Sequence, residues 1–218
     1  MNYKLAIFDL DGTILDTLQD LTDSTNYALE SNDFPKRTME EVRRFVGNGI
    51  GRLIERAVPA GTTEDRTAKT LEDFKRYYGK HCADRTKPYD GIMDVIEALG
   101  KKGYLTAVVS NKADFAVQEL CRQYFPGMFD FVVGEREHIR RKPAPDTVLE
   151  VLEQLQVRKE EAVYIGDSEV DIQTAVNAQM DVISVLWGFR DQKELIEQGA
   201  GKIVHTPLEL QNMLCDEK

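Results

Sequence analysis

Two aspartates, Asp9 and Asp11, stand one residue apart directly behind the apolar run LAIF at residues 5–8. In an extended chain, residues i and i+2 point to the same side, so both carboxyl groups can face one small pocket. Two like charges held that close are costly unless a cation or a proton separates them. Mg²⁺ suits such a position because it binds one or two carboxylates together with phosphate oxygens and water. The pair therefore indicates a divalent-cation site that could act on a phosphate.

Two simpler interpretations of this segment fail. Asp11-Gly12 is a strong hairpin signal between strands, but the apolar residues that follow, at positions 14, 15, 18, 21, 28 and 29, have helical spacing. A calcium-binding loop would need glycine at its sixth position and Glu at its twelfth, whereas Gly12 is fourth and Asp20 is twelfth. Neither a hairpin nor a calcium loop explains the acid pair.

Further polar residues follow or precede other apolar runs. Ser110 and Asn111 follow the run YLTAVV, Asp167 ends the run AVYIGD with Asp171 four residues later, and Lys142 precedes a helix that prolines help to start. Each has an ordinary explanation by itself: a helix cap for Ser110 or Asp167, a surface acid for Asp171 and a solvated basic run for Lys142. Because ligands bind at the carboxyl ends of parallel strands, their order and placement together indicate one site.

The elements that must position these residues alternate between strand and helix. Near-continuous apolar runs, typical of strands buried on both faces, lie at residues 5–10, 104–110, 129–134, 162–167 and 181–188, with a further run at 202–206. Helical patterns lie between them, so the chain is predicted to be an α/β protein with a doubly wound, Rossmann-like parallel sheet. Residues 15–86 contain helical segments only. We therefore predict a core of residues 1–14 and 87–218 with a helical cap domain, residues 15–86, inserted after the first strand.

Composition and charge narrow the partners. The formal net charge of −10 argues against nucleic acid or an anionic membrane surface. No apolar stretch approaches the roughly 20 residues that cross a bilayer, and the segment MNYKLAIF lacks the features of a signal peptide. A cytoplasmic location is therefore expected. The three cysteines are far apart and form no CxxC pair, which disfavours a disulfide framework or a structural zinc site.

Four short motifs together resemble the haloacid dehalogenase superfamily of phosphohydrolases. They are DLDGT at 9–13, Ser110 in VVSNK, Lys142 in KPAPD, and GDSEVD at 166–171. The resemblance covers essentially the whole chain, including a helical cap after the first motif. Within the superfamily, the segments RFVGNGIGRLIERAV at 44–58, SNK, and WGFR at 187–190 are most similar to phosphoglycolate phosphatases.

The resemblance implies a role for each motif residue. Asp9 would be the nucleophile that forms an aspartyl-phosphate, and Asp11 the general acid and then the general base. The implied cofactor is Mg²⁺, with its ligands from Asp9, Asp11 (through the backbone carbonyl), Asp167 and Asp171, the last in either the inner or the outer coordination shell. Catalysis would also use Lys142, and the phosphoryl group would be bound by Thr13, Ser110, the N–H of Asn111, and Lys142.

The implied substrate is a small phosphorylated metabolite, first of all 2-phosphoglycolate, acted on by a monomer or homodimer. A sugar-phosphate mutase similar to β-phosphoglucomutase, a pyrophosphatase and a nucleotidase stay open as alternatives, although mutases tend to carry a bulkier aliphatic residue in place of Thr13. A dehalogenase is disfavoured because its reaction needs no second acid such as Asp11. A non-catalytic binding module would be expected to lose Asp9 or Lys142.

Two further expectations concern individual positions. Cap arginines at 43, 44 and 52 could pair with a substrate carboxylate, but surface arginines on a helix are favoured. Gln179 stands where members of the family usually carry glycine as a left-handed end to a helix, which would cost on the order of 1 kcal/mol of local stability.

Overall fold

The computed structural model of the chain describes residues 3–215. The strands are β1 (Leu5–Phe8), β2 (Leu15–Asp16), β3 (Lys87–Pro88), β4 (Leu105–Ala113), β5 (Phe131–Glu135), β6 (Ala162–Gly166), β7 (Asp181–Val185) and β8 (Ile203–Val204). Six of them form one sheet in the order β5-β4-β1-β6-β7-β8, and all its pairings are parallel. The predicted doubly wound α/β fold is confirmed. Strands β2 and β3 pair with each other in a separate two-stranded sheet.

Helices fill the connections between the strands. They are α1 (Leu18–Glu30), α2 (Met39–Phe45), α3 (Gly49–Ala57), α4 (Glu64–His81), α5 (Ile92–Lys101), α6 (Asp114–Tyr124), α7 (Asp146–Leu155), α8 (Glu169–Ala178), α9 (Gln192–Glu197) and α10 (Pro207–Cys215). Within residues 3–215, no helix combines the length and the apolar character that a bilayer crossing requires.

Strand β1 lies at the point where the strand order of the sheet reverses. It pairs with β4 on one side and with β6 on the other, so the chain builds the sheet outward from β1 twice, in opposite directions. Its four residues are completely buried, which explains why the sequence shows an uninterrupted apolar run. In open parallel sheets such a switch point opens a crevice at the carboxyl ends of the strands. The residues that follow β1, β4 and β6 therefore share one edge.

The hydrophobic core beneath this edge follows the two-residue period of the strands. Leu5 and Ile7 of β1 pack with Ala107 and Val109 of β4 and with Tyr164 of β6. The Tyr164 hydroxyl donates a hydrogen bond to the carbonyl oxygen of Val109 at 3.1 Å. The core thus joins the three strands that carry the polar residues.

One strand is longer than the sequence pattern predicts. The apolar run ends at Ser110, but β4 continues to Ala113. The pairing of β4 with β5 shifts register between Val109 and Ala113, as a β-bulge does. Because the residues that follow Val109 are polar and yet belong to the strand, hydrophobicity by itself did not reveal the end of this strand.

The chain divides into two compact units, one that ends at Leu15 and resumes at Pro88, and one that spans Asp16–Lys87. The second unit holds helices α1 to α4. Arg52 pairs with Glu55 at 2.6 Å and Arg44 with Glu40 at 3.2 Å, each one turn away on its own helix. These pairs favour the interpretation of the arginines as ordinary surface residues. That the second unit acts as a cap stays a prediction.

The left-handed helix end expected at position 179 is confirmed. Gln179 follows α8 with φ 56° and ψ 46°, in the region that favours glycine. Its side-chain oxygen accepts a hydrogen bond from Lys159. The strain is local to the helix end.

Candidate active site

The carboxyl ends of three adjacent strands bring the predicted site residues together. Asp9 directly follows β1, Ser110 and Asn111 lie in the last part of β4, and Asp167 directly follows β6. The backbone N–H of Asp9 donates to the carbonyl oxygen of Ile165 at 2.9 Å, which continues the pairing with β6 one residue beyond the strand. The acids therefore stand on a rigid edge.

Lys142 connects two of the motifs through its ammonium group. Its Nζ donates to Asp9 Oδ1 at 2.9 Å, to Asp171 Oδ1 at 2.8 Å and to the Tyr164 hydroxyl at 3.0 Å. Lys142 is only 3% exposed, so its interpretation as part of a solvated basic run is wrong. Its own backbone carbonyl accepts a hydrogen bond from the Asn111 side-chain amide at 3.0 Å.

Three buried carboxylates form a compact cluster. Asp9, Asp167 and Asp171 each offer an oxygen that lies within 4.8 Å of those of the other two. Burial raises the pKa of Asp9 from 3.8 to about 7, although Lys142 opposes the shift. Burial and the charges of Asp171 and Asp9 likewise hold the pKa of Asp167 well above its usual range. The ionised forms of Asp9 and Asp167 are therefore less favourable here than at an exposed position.

The same carboxylates also shift the pKa of Lys142. Burial would lower the pKa of Lys142, but the carboxylates of Asp171 and Asp9 outweigh that effect and hold the pKa well above its usual value. Lys142 therefore stays charged, and it reduces the repulsion between Asp9 and Asp171 without removing it.

The cluster fits a divalent cation. Carboxylate oxygens are the ligands that hard cations such as Mg²⁺ prefer, and a cation would also offset the burial and the mutual repulsion that together raise the pKa values of Asp9 and Asp167. The backbone at Gly12 approaches the cluster closely: with φ +84°, a Cβ atom there would lie 2.4 Å from Asp167 Oδ2. Only glycine leaves room for Asp167 at this position.

Asp11 lies outside this cluster and has a partner of its own. Lys112 Nζ donates to its two carboxylate oxygens at 2.8 and 3.0 Å. Sequence reasoning missed Lys112, because it lies in a polar segment where the register shift between Val109 and Ala113 interrupts the two-residue alternation of the strand. Asp11, the candidate acid–base residue, thus has its own ammonium partner, Lys112.

The remaining predicted residues have specific contacts. The hydroxyl of Thr13 donates to Asp167 Oδ1 at 3.4 Å, and the Ser110 hydroxyl accepts from the backbone N–H of Lys112 at 3.2 Å. The N–H and hydroxyl of Ser168 donate to Asp171 Oδ2 at 3.1 and 2.6 Å. Substrate binding by Thr13 and Ser110 stays a prediction.

A late segment of the chain supports the first and last motifs. The indole N–H of Trp187 donates to the carbonyl oxygen of Thr13 at 2.9 Å, and the backbone N–H of Phe189 donates to Asp167 Oδ2 at 2.6 Å. In the sequence, residues 187–190 supported the resemblance only, and nothing there indicated these contacts. They hold Asp167 and the loop after Asp11 in place.

A constellation of this kind at the switch point of a parallel sheet belongs to a known class, and the sequence matches it. Residues 6–185 match the family model of haloacid dehalogenase-like hydrolases, so the chain belongs to that family.

Individual relatives narrow the comparison. A phosphoglycolate phosphatase of Vibrio parahaemolyticus is 33% identical over 193 residues, covering 85% of each chain, and one of Aquifex aeolicus is 31% identical over 191 residues, covering 85% of this chain and 86% of the relative. A crystal structure from Lactobacillus delbrueckii subsp. bulgaricus, provisionally named phosphoglycolate phosphatase, superimposes with a TM-score of 0.95 at 43% identity over all of both chains.

These similarities establish the class of the enzyme. The chain is a phosphatase of the phosphoric monoester hydrolase type, similar to phosphoglycolate phosphatases. Enzymes of this class act on small phosphorylated substrates and generally use a divalent metal, for which the cluster of Asp9, Asp167 and Asp171 is the candidate site.

Proposed function

We propose that the enzyme hydrolyses 2-phosphoglycolate with Mg²⁺ through an aspartyl-phosphate on Asp9. The observation that carries the proposal is the arrangement of Lys142 between Asp9 and Asp171, beside Asp167, at one edge of the sheet. The substrate comes from the relatives, several of which are named phosphoglycolate phosphatase. Sugar-phosphate mutase, pyrophosphatase and nucleotidase activities are the alternatives.

Asp9 is held in an orientation suited to attack on phosphorus. Both Lys142 Nζ and the backbone N–H of Leu10 bind its Oδ1, at 2.9 and 2.7 Å. The second oxygen is then the one that forms the bond to phosphorus while the bond to the leaving oxygen breaks. Fixing the nucleophile in this way contributes to catalysis because phosphoryl transfer depends mainly on positioning and on charge.

Asp11 is proposed to move the proton. As the leaving oxygen departs, protonated Asp11 gives it a proton, and the resulting carboxylate then takes a proton from the water that attacks the aspartyl-phosphate. The nucleophile and the acid–base group have different surroundings: Asp9 contacts Lys142, whereas Asp11 contacts Lys112. Different environments are what allow two neighbouring carboxyl groups to take different roles.

The binding roles follow from charge and position. Lys142, the Ser110 hydroxyl and the backbone N–H of Asn111 are proposed to bind the phosphoryl oxygens. Mg²⁺ would be held by Asp9, Asp167 and the backbone carbonyl of Asp11, where it would neutralise charge beside the phosphoryl group. Asp171 would support the ion from the inner or the outer coordination shell, and its two oxygens also bind Lys142 and Ser168.

The experiment is phosphate release from 2-phosphoglycolate, sugar phosphates, nucleotides and pyrophosphate, each with Mg²⁺ and with EDTA. We expect the highest kcat/KM for 2-phosphoglycolate, dependence on Mg²⁺, and a loss of roughly 10⁴-fold or more in Asp9→Asn, as for other enzymes that lose their nucleophile. Asp94→Asn, an exposed aspartate of α5, is the matched control and should keep full activity.

The possible outcomes separate the parts of the proposal. Activity that survives in Asp9→Asn contradicts the nucleophile. A higher rate with another member of the panel replaces the substrate and keeps the chemistry, and conversion of one sugar phosphate into its isomer without phosphate release identifies a mutase.

A further inference from the structure

Lys112 is buried against Asp11 and binds both of its carboxylate oxygens. The Nζ to oxygen distances are 2.8 and 3.0 Å, and the Lys112 side chain is only 5% exposed. We propose that Lys112 is a positioning residue: it holds the carboxyl group of Asp11 apart from the carboxylate cluster of Asp9, Asp167 and Asp171, so that Asp11 stays available for proton transfer. Charge-assisted bonds to both oxygens fix the orientation of the group more firmly than one bond would.

The backbone of β4 is shaped to present Lys112. The register shift between Val109 and Ala113 places the bulge on the segment that contains Lys112. Bulges turn side chains in a new direction, and they occur often beside active sites. The backbone N–H of Lys112 donates to the Ser110 hydroxyl at 3.2 Å, which joins the position of Lys112 to that of a predicted phosphate-binding residue.

A close approach from the neighbouring strand supports the same segment. A Cβ atom at Gly134 of β5 would lie 2.5 Å from the backbone oxygen of Lys112 and 2.6 Å from the Cα of Asp114. The N–H of Gly134 donates to the Asp114 carboxylate at 2.8 Å. The position of Lys112 therefore depends on two strands, which is the support that a fixed side chain near a reacting group requires.

The inference rests on the proposed function, in which Asp11 gives its proton to the leaving oxygen as an oxygen of Asp9 forms its bond to phosphorus. When one oxygen of Asp11 carries that proton, the other can still accept a hydrogen bond from Lys112. The contact can thus persist in both protonation states, and it orients the protonated oxygen. Lys112 itself need not touch the substrate.

The test compares two leaving groups. An alkoxide must receive a proton as it leaves, whereas p-nitrophenolate is stable without one. If Lys112 acts through Asp11, Lys112→Met should lower kcat/KM for the alkyl phosphate that the enzyme hydrolyses fastest by about 10- to 100-fold, within the range of general acid catalysis. For p-nitrophenyl phosphate the loss should be less than about threefold. The ratio kcat/KM reports the transfer step and excludes the later hydrolysis of the aspartyl-phosphate.

A double-mutant cycle keeps the test independent of folding. In an Asp11→Asn background no carboxylate charge is left unpaired, and Lys112→Met should then have no further effect on alkyl phosphate hydrolysis. Lys101→Met, an exposed lysine of α5 that is 77% exposed, is the matched control and should leave both substrates unaffected.

The results distinguish this inference from the proposed function. Equal losses with the two leaving groups, or a further loss in the Asp11→Asn background, would overturn the role of Lys112 and indicate direct contact with the phosphoryl group. Activity in Asp9→Asn would instead overturn the nucleophile, whatever Lys112 does.

Discussion

Buried carboxylates occur in both units of the molecule, but different kinds of groups bind them. In the helical unit, Asp20 is 2% exposed and its oxygens accept hydrogen bonds from the backbone N–H groups of Arg85 and Thr86 and from the Thr86 hydroxyl, at 2.8 to 3.0 Å. At the edge of the sheet, Asp9 and Asp171 share the single ammonium group of Lys142.

The difference lies in what compensates the charge. Neutral donors of the chain surround Asp20, so it ties the start of α1 to the end of the helical unit and needs nothing from outside the protein. In the cluster of Asp9, Asp167 and Asp171, by contrast, three carboxyl groups lie close together, Asp9 and Asp171 share Lys142, and burial raises the pKa of Asp9 and of Asp167. Burial of an acid therefore does not by itself indicate a site. A shortage of compensating groups does, because a bound cation can supply the remainder.

The largest expected effect on stability comes from removing the ammonium group of Lys142, which Asp9 and Asp171 share. Lys142→Met leaves Asp9 and Asp171 buried without their ammonium partner, so we expect the unfolding free energy in EDTA at pH 8 to fall by about 3–5 kcal/mol. Urea unfolding measures this. Lys101→Met should change the value by less than about 0.5 kcal/mol. If the two variants are equally stable, Lys142 does not compensate the cluster.

A smaller loss of stability is expected from substitution of Asp20, whose carboxylate accepts hydrogen bonds from neutral donors. Asp20→Asn replaces one acceptor oxygen by an amide NH₂ group that faces N–H donors, which should cost about 1–3 kcal/mol. Thermal or urea unfolding measures the loss, and Asp23→Asn, an exposed aspartate of the same helix, is the control. An unchanged stability would mean that neutral donors around Asp20 contribute nothing.

An Asp-to-Asn substitution in the carboxylate cluster should instead increase the stability of the protein. Asp167→Asn removes one of the crowded charges and can still accept from the Phe189 N–H, so at high pH in EDTA we expect a gain on the order of 1 kcal/mol, with activity lost. Because the folded-state pKa of Asp167 is raised, the charge costs stability above that pKa, and the gain should shrink as the pH falls through it. Unfolding at several pH values, with wild type alongside, tests this; a gain independent of pH would contradict it.

The smallest effect concerns backbone strain rather than charge. Gln179→Gly removes a side chain from a left-handed position, and we expect a gain of a few tenths to about 1 kcal/mol. Gln198→Gly is the control, since Gln198 has φ −89° and gains nothing from glycine. Similar changes in the two variants would show that the left-handed conformation of Gln179 is not strained.

Local patterns were sufficient for the fold and for part of the site. Buried parallel strands need uninterrupted apolar residues, so β1, β6 and β7 could be predicted within a few residues, and Asp9 and Asp167 follow from the rule that ligands bind at strand ends. Lys142 was harder: its sequence context is basic, and only its contacts with Asp9 and Asp171 distinguish it from a surface lysine. The bulge in β4 concealed Lys112, because its segment is polar and yet extended.

The sequence by itself determined the order of the helices and of the strands of the main sheet, the largely helical character of residues 15–86, and which acids stand at the ends of apolar runs, because hydrophobic period and strand-end position are local properties. Only the tertiary structure decided the partners. Trp187 reaches Thr13 across 174 residues, Lys112 reaches Asp11 across 101, and Lys142 rather than solvent compensates Asp9. Such contacts depend on which strands the sheet places side by side, and the close approach of the three carboxylates of the cluster exists only once the sheet has formed.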